Sequence, residues 1–231
     1  LCAVAALAAL QTGIGKKLDL TFARSKGASK QQRLWEMGLK YHLLQQLEND
    51  PSHPLSLALY ANAVVASNTR TTTPNQDHSY DGISERTSNV FQLILAKKMG
   101  RVSLQLNPTF LTRGYSISYD KRSFFSLGGA LRIPISQRLN FIVDYFHTFR
   151  SQSSRDSFRI KDNIRFYDPL GVGLEVVTGR HVFHLNFTNT TEILENRFIP
   201  RTVTSWGKGQ FRWGFTISRQ FTVWKPKQKK K

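Results

Sequence analysis

The segment Gln210–Trp224, QFRWGFTISRQFTVW, decides how the rest of the chain reads. Phe211, Trp213, Phe215, Ile217, Phe221 and Val223 share one face of an extended chain, and Arg212, Gly214, Thr216, Ser218, Gln220 and Thr222 share the other. A period of two sorts residues onto the opposite faces of a β-strand. Here one face is large and aromatic and the other is small or hydrophilic. That contrast fits a strand with lipid on one side and a wet lumen on the other.

The pattern recurs upstream. Leu18–Arg24, Leu34–Leu44, Leu55–Ala66, Ser88–Lys98 and Arg101–Phe110 alternate in the same way. So do Phe124–Ser136, Leu139–Arg150, Arg165–Val177 and His181–Thr188, which makes ten strands with the C-terminal segment. Their apolar faces predict that Leu104, Leu106, Phe141, Val143, Leu185 and Phe187 join Phe211, Trp213, Phe215 and Phe221 in facing lipid. Connections follow a rule of their own. Tight turns at 15–17, 98–100, 136–138 and 178–180 alternate with long polar loops near 25–33, 67–87, 111–123, 150–164 and 189–209. Short turns at one end and long loops at the other are the layout of an outer-membrane barrel, whereas the crossing connections of a Greek-key sandwich mix lengths at both ends. The expected fold is therefore all-β: an antiparallel transmembrane β-barrel of about 10–12 strands, an up-and-down meander over residues 1–224 with a basic tail at 225–231.

Composition is consistent with this. A mean hydropathy of −0.35 and the lack of any long apolar run exclude a membrane protein built of helices, but not one built of half-polar strands. The single cysteine, Cys2, forms no intramolecular disulfide. At the N-terminus, Leu1–Leu10 (LCAVAALAAL) reads either as a strand entering the turn at Gly13–Lys16 or as the apolar part of a secretory signal. A lipoprotein Cys2 is a third option. An even strand count permits ten strands, or twelve with one preceding Leu1.

The C-terminal half resembles a Bacteroidetes-type family of outer-membrane β-barrel proteins known as a domain of unknown function. The resemblance rests on Thr-Gly-x-His-Val-Phe-x-Leu at Thr178–Leu185, Phe-Thr-Asn at 187–189, Phe198-Ile199, Trp206, and Gly214-Phe215-x-Ile217-Ser218-Arg219. Thr12–Leu20 and Ala23-Arg24-Ser25 fit the family's hairpin pattern more weakly. The resemblance implies a porin-like barrel in the bacterial outer membrane and an N-terminus longer than this one, hence twelve strands. It implies no activity.

No sequence motif of catalysis or nucleotide binding is present. His181 and His184 lie three apart, on opposite strand faces, and make a poor metal pair. A barrel-type lipid hydrolase needs a Ser–His pair, yet alternation puts His147 on the apolar face and Ser126 on the polar one. Neither an enzyme nor a cofactor is expected. Gly128-Gly129 and Gly171-x-Gly173 read as close packing inside a barrel rather than as phosphate loops.

The net charge is +18, from 33 Lys+Arg against 15 Asp+Glu. Alternation places Lys40, Arg101, Arg132, Arg150 and Arg212 in the lumen with Asp19, Glu36, Asp144 and Glu175, nearly in balance. These nine are the candidate solute-contacting residues. They either fill the lumen with ion pairs or line a narrow, weakly selective channel, with Arg132 and Asp144 as the expected constriction. The excess of positive charge falls on loops and tail, where residues such as Arg155, Arg159 and Lys161 are placed to meet headgroup phosphates, those of lipopolysaccharide among them. A soluble basic protein that binds nucleic acid is the rival reading. The aromatic residues speak against it, because they sit on apolar faces rather than between basic residues.

Overall fold

The computed structural model describes residues 5–27, 33–47, 50–69 and 80–222. Eleven strands form one antiparallel sheet, each paired only with its sequence neighbours. They are β1 (Ala6–Ile14), β2 (Leu18–Lys26), β3 (Arg33–Leu44), β4 (Ser56–Ala66), β5 (Thr87–Met99) and β6 (Val102–Arg113), then β7 (Ser123–Pro134), β8 (Leu139–Thr148), β9 (Leu170–Val177), β10 (His181–Thr188) and β11 (Arg212–Arg219). Among the described residues no helix is long and apolar enough to cross a membrane.

The N-terminal alternatives resolve in favour of a strand. Ala6–Ile14 pairs with β2 along its whole length, from Ala6 opposite Lys26 to Ile14 opposite Leu18. Residues 1–4 with Cys2, and the tail from 223 onward, lie outside the described residues. β1 and β11 form the two edges of the sheet and make no pairing with each other. Being odd members of a meander, they run in the same direction.

Three local differences from the sequence reading have simple causes. β6 starts one residue late, because Gly100, at φ +58°, and Arg101 form the turn. Arg101 therefore sits on the rim rather than in the lumen. β8 ends at Thr148, so Arg150 leaves the sheet. Within the expected loop at 150–164, Gln152–Asp162 forms a helix, α2. Its buried residues Ser154 and Phe158 are four apart and share one face. Arg159 and Lys161 favour its last turn, and left-handed Asn163 (φ 53°) stops it. Two single-turn helices, α1 (Ile83–Arg86) and α3 (Glu195–Phe198), also lie in long loops.

Alternation sorts the strand side chains onto two faces. Buried Leu34, Glu36 and Asn62, with Gln92, Asn107, Thr109 and Ser126, mark the inner face. Leu104, Leu106, Leu185, Phe211, Trp213, Phe215 and Phe221 are exposed on the outside. Phe141, Val143 and Phe187 share that outer face, half-buried by their neighbours. Two inner-face glycines allow close packing. A β-carbon on Gly128 would stand 2.5 Å from the Phe146 ring, and one on Gly171 would stand 2.5 Å from Asp144 Oδ1.

At the long-loop end the inner face is apolar. Val90, Leu111, Phe124 and Phe146 pack with Ile199 and, partly buried, Phe198, while Leu34, Val64 and Ala66 pack with Tyr80 and Leu194. Leu194, Phe198 and Ile199 all belong to the loop between β10 and β11, which therefore folds inward against the inner wall.

Candidate functional site: the lumen and its plug

Between that apolar end and the turns the inner face carries paired polar groups. Glu36 Oε1 accepts hydrogen bonds from the Tyr60 hydroxyl at 3.0 Å and Asn62 Nδ2 at 2.9 Å. His42 Nε2 lies 2.9 Å from Asp19 Oδ2. Lys40 stands opposite Asp19 on one side and Tyr60 on the other. Gln105 Nε2 donates to Asn107 Oδ1 at 2.9 Å.

Arg132 pairs with Glu175 rather than with Asp144. Its guanidinium reaches over β8 to Glu175 Oε1 at 2.7 Å. Asn140 Nδ2 adds a bond to the same oxygen at 2.8 Å, and His184 Nε2 lies 3.1 Å from Oε2. The register explains the exchange. Asp144 faces Ala130 and Gly171 across the strands, whereas Asn140 and His184 both face Glu175. Arg212 is on the inner face opposite Thr188, and its Nη1 donates to Thr204 Oγ1 at 3.4 Å.

Seven of the nine expected lumen residues thus stand on the inner face of the strands, and Arg101 and Arg150 do not. With those two removed, three bases (Lys40, Arg132, Arg212) remain against four acids (Asp19, Glu36, Asp144, Glu175). The register adds two inner-face bases that the sequence reading did not place there, Lys98 opposite Ser103 and Arg113 opposite Ser88, so the wall stays near balance at five bases to four acids.

Arg150 has a different task. It is buried and donates from Nη1 to Ser154 Oγ at 2.8 Å and from Nη2 to the Pro200 carbonyl at 2.7 Å, and it pairs with Asp120. Asp120 also takes Arg113 at 2.7 Å. The guanidinium lies 4.0 Å from the centre of the Phe166 ring and 4.6 Å from that of Phe124. Burial pulls its pKa down from the ordinary arginine value, against the opposing pull of Asp120. One side chain therefore ties together the loops that follow β6, β8 and β10.

The feature that sequence reading missed is the inward fold of the β10–β11 loop. Asn196 Nδ2 donates to Ser88 Oγ at 2.5 Å, Arg197 Nη2 to the Tyr80 hydroxyl at 3.3 Å, and Thr148 Oγ1 to the Ile199 carbonyl at 2.8 Å. Glu195 is buried beside Gln92 and Glu36. Burial pushes its carboxyl up; Gln92 pulls it down and the Glu36 charge raises it again, leaving it at about 7. Several buried polar atoms at this contact have no hydrogen-bond partner among the described residues: Asn62 Oδ1, Asn196 Oδ1 and Arg197 Nε. Each such atom costs roughly 1–3 kcal/mol when dry. The seat of α3 is consequently weaker than its apolar neighbours suggest. Phe198-Ile199 within an otherwise polar loop is the trace this inward fold leaves in the sequence.

The hydrolase reading gains no geometry. His147 Nδ1 lies 2.8 Å from Asp168 Oδ2, but Ser126 Oγ donates to the His147 backbone carbonyl, not to its ring. Burial pushes the Asp168 carboxyl up, yet hydrogen bonds from Tyr145 and His147 outweigh it and leave it below its usual value. Among the described residues no cluster of His, Cys, Asp and Glu could hold a metal ion. A concavity of about 580 Å³ lies on the outer face among Leu39, Leu59, Phe91, Phe110 and Phe125.

A solved structure of the NanC porin superposes with a TM-score of 0.62 over 95% of this chain and 94% of that one, at 8% sequence identity. The likeness is one of fold. No sequence among curated proteins matches the chain. Residues 5–221 match the family described as "Membrane bound beta barrel domain (DUF5777)". With nearly the whole chain matched, from β1 to just beyond β11, the protein belongs to that family of membrane-bound β-barrel domains.

Proposed function

We propose that this chain is a non-enzymatic barrel of the bacterial outer membrane that passes small hydrophilic solutes through a narrow lumen restricted by the β10–β11 loop. The observation that carries the reading is the inner face itself. It is polar below its apolar loop end, where it meets an inserted segment whose polar atoms are incompletely paired. A purely structural barrel gains nothing from leaving such atoms unpaired; a plug that moves does.

In this reading the sheet closes. Open strand edges are not tolerated in hydrocarbon, because their amide groups find no water there. β1 and β11 run in the same direction, so one further strand, antiparallel to both, joins them with the same ladder geometry as the rest. The barrel then has twelve strands, the even number typical of single-chain outer-membrane barrels.

Planar-bilayer recording tests the channel. The expected result is a small single-channel conductance with only weak ion selectivity, since five bases and four acids nearly balance on the strand wall. A large conductance with strong anion preference would show an open, base-lined pore and overturn the reading.

A further inference from the structure

Most basic side chains of the long loops are used internally. Arg113 and Arg150 hold Asp120, Arg197 bonds Tyr80, and Lys161 lies over the Tyr119 ring. Arg155, Arg159 and Arg165 are different. Among the described residues their guanidinium groups make no ion pair or hydrogen bond, and Arg159 and Arg165 are exposed. The nearby acids are already engaged by neutral donors or by histidine. Asp156 accepts from Gln152 at 3.0 Å, Asp162 from Tyr119 at 2.5 Å, and Asp168 from Tyr145 at 2.6 Å as well as from His147.

These arginines line adjoining concavities. One of about 240 Å³ lies between Arg155, Arg159 and Arg165, with Asp156 also on its wall, and a second of about 450 Å³ shares Arg159 and Arg165 and adds Lys208, whose ammonium stands 6.0 Å from the Tyr167 ring centre. A third, about 230 Å³, shares Arg155 and extends to His147, on the outer face of β8. The furrow thus opens toward the lipid-facing surface. Apolar groups flank it: Phe149, 60% exposed, packs edge-on to His147, and Ile160 on α2 is 82% exposed. Cationic forks beside exposed apolar side chains, at the loop end of an apolar outer wall, match the level where headgroups meet acyl chains.

We infer that this furrow is a binding site for the phosphate groups of an outer-leaflet glycolipid, with Arg155, Arg159 and Arg165 as bidentate donors and Lys208 as a further cation. The inference rests on the outer-membrane reading proposed for the barrel. Guanidinium suits phosphate because two parallel N–H donors match two phosphate oxygens. Two adjoining concavities that share arginines accommodate two phosphates on one saccharide headgroup.

The test uses the refolded full chain in phosphatidylcholine vesicles, with diphosphorylated lipid A as probe. Wild-type protein should bind it at least tenfold more tightly than the triple variant Arg155→Gln, Arg159→Gln, Arg165→Gln, and enzymatic removal of the phosphates should lose a similar factor. The three guanidinium groups tie no loop to another, so the variant should keep the heat-dependent gel mobility of the wild type. Equal binding by the variant, or by the dephosphorylated lipid, would overturn the proposal. Competition by inorganic pyrophosphate as strong as that by the lipid would also overturn it, and would assign the furrow to soluble anions. Failure to insert into the neutral vesicles would instead refute the membrane reading, since that step needs no phosphate.

Discussion

Replacing Glu192–Phe198 by a short Gly-Ser linker raises single-channel conductance several-fold while the strand ladder stays intact. The expectation comes from where the segment sits: Asn196 reaches Ser88 on β5, and Leu194 packs with Leu34 and Val64 on β3 and β4. Its removal unfills the inner face at the loop end without touching a strand. The same seat is pH-dependent. Held at about 7, the Glu195 carboxyl binds its proton more tightly in the seated plug than in a released one, where the ordinary value of 4.5 applies. A raised carboxyl value means that seating is strongest below the released value. That advantage is lost as pH climbs from 4.5 through about 7, a change on the order of 3 kcal/mol. Conductance should therefore rise with pH across this window in the wild type and stay flat in Glu195→Gln. An unchanged conductance in the linker variant would show that the loop does not obstruct the lumen.

Arg150→Ala should cost about 3–5 kcal/mol, the usual consequence of removing one partner from a buried ion pair. Asp120 would keep Arg113, but the Pro200 carbonyl and Ser154 hydroxyl would lose their donor, and the Phe166 and Phe124 faces their cation. The loops should loosen before the sheet does. Limited proteolysis would then cut first within 115–122 and 190–205, at protease levels that leave the wild type intact, and Arg150→Lys should not restore resistance because an ammonium lacks the two-pronged geometry. Wild-type resistance in the alanine variant would show that the three loops are held by other means.

The strands were legible because a two-sided environment writes a two-residue period, and an error of one residue would invert a whole strand. Leu104 and Trp213 lie outside and Glu36 and Glu175 inside for that reason alone. Alternation could not say which inner-face charges meet. Arg132 bypasses Asp144 because its long side chain reaches across β8, and reach depends on register between strands that share no local signal. Arg150 was misplaced because the end of a strand is set by the next element along the chain, here the helix at 152–162. The inward fold of the β10–β11 loop was illegible for a deeper reason: a polar loop that packs back onto the inner face of its own sheet is specified by distant residues such as Ser88 and Gln92, with no periodicity of its own.

The membrane assignment stands on the outer aromatic face meeting lipid. Trp213, 73% exposed on β11, reports on it directly once Trp35, Trp206 and Trp224 are replaced by phenylalanine. In vesicles of lipids brominated on their acyl chains, Trp213 fluorescence should be strongly quenched, and aqueous iodide should leave it nearly untouched. Strong quenching by iodide with none from the brominated chains would place this face in water and contradict the assignment.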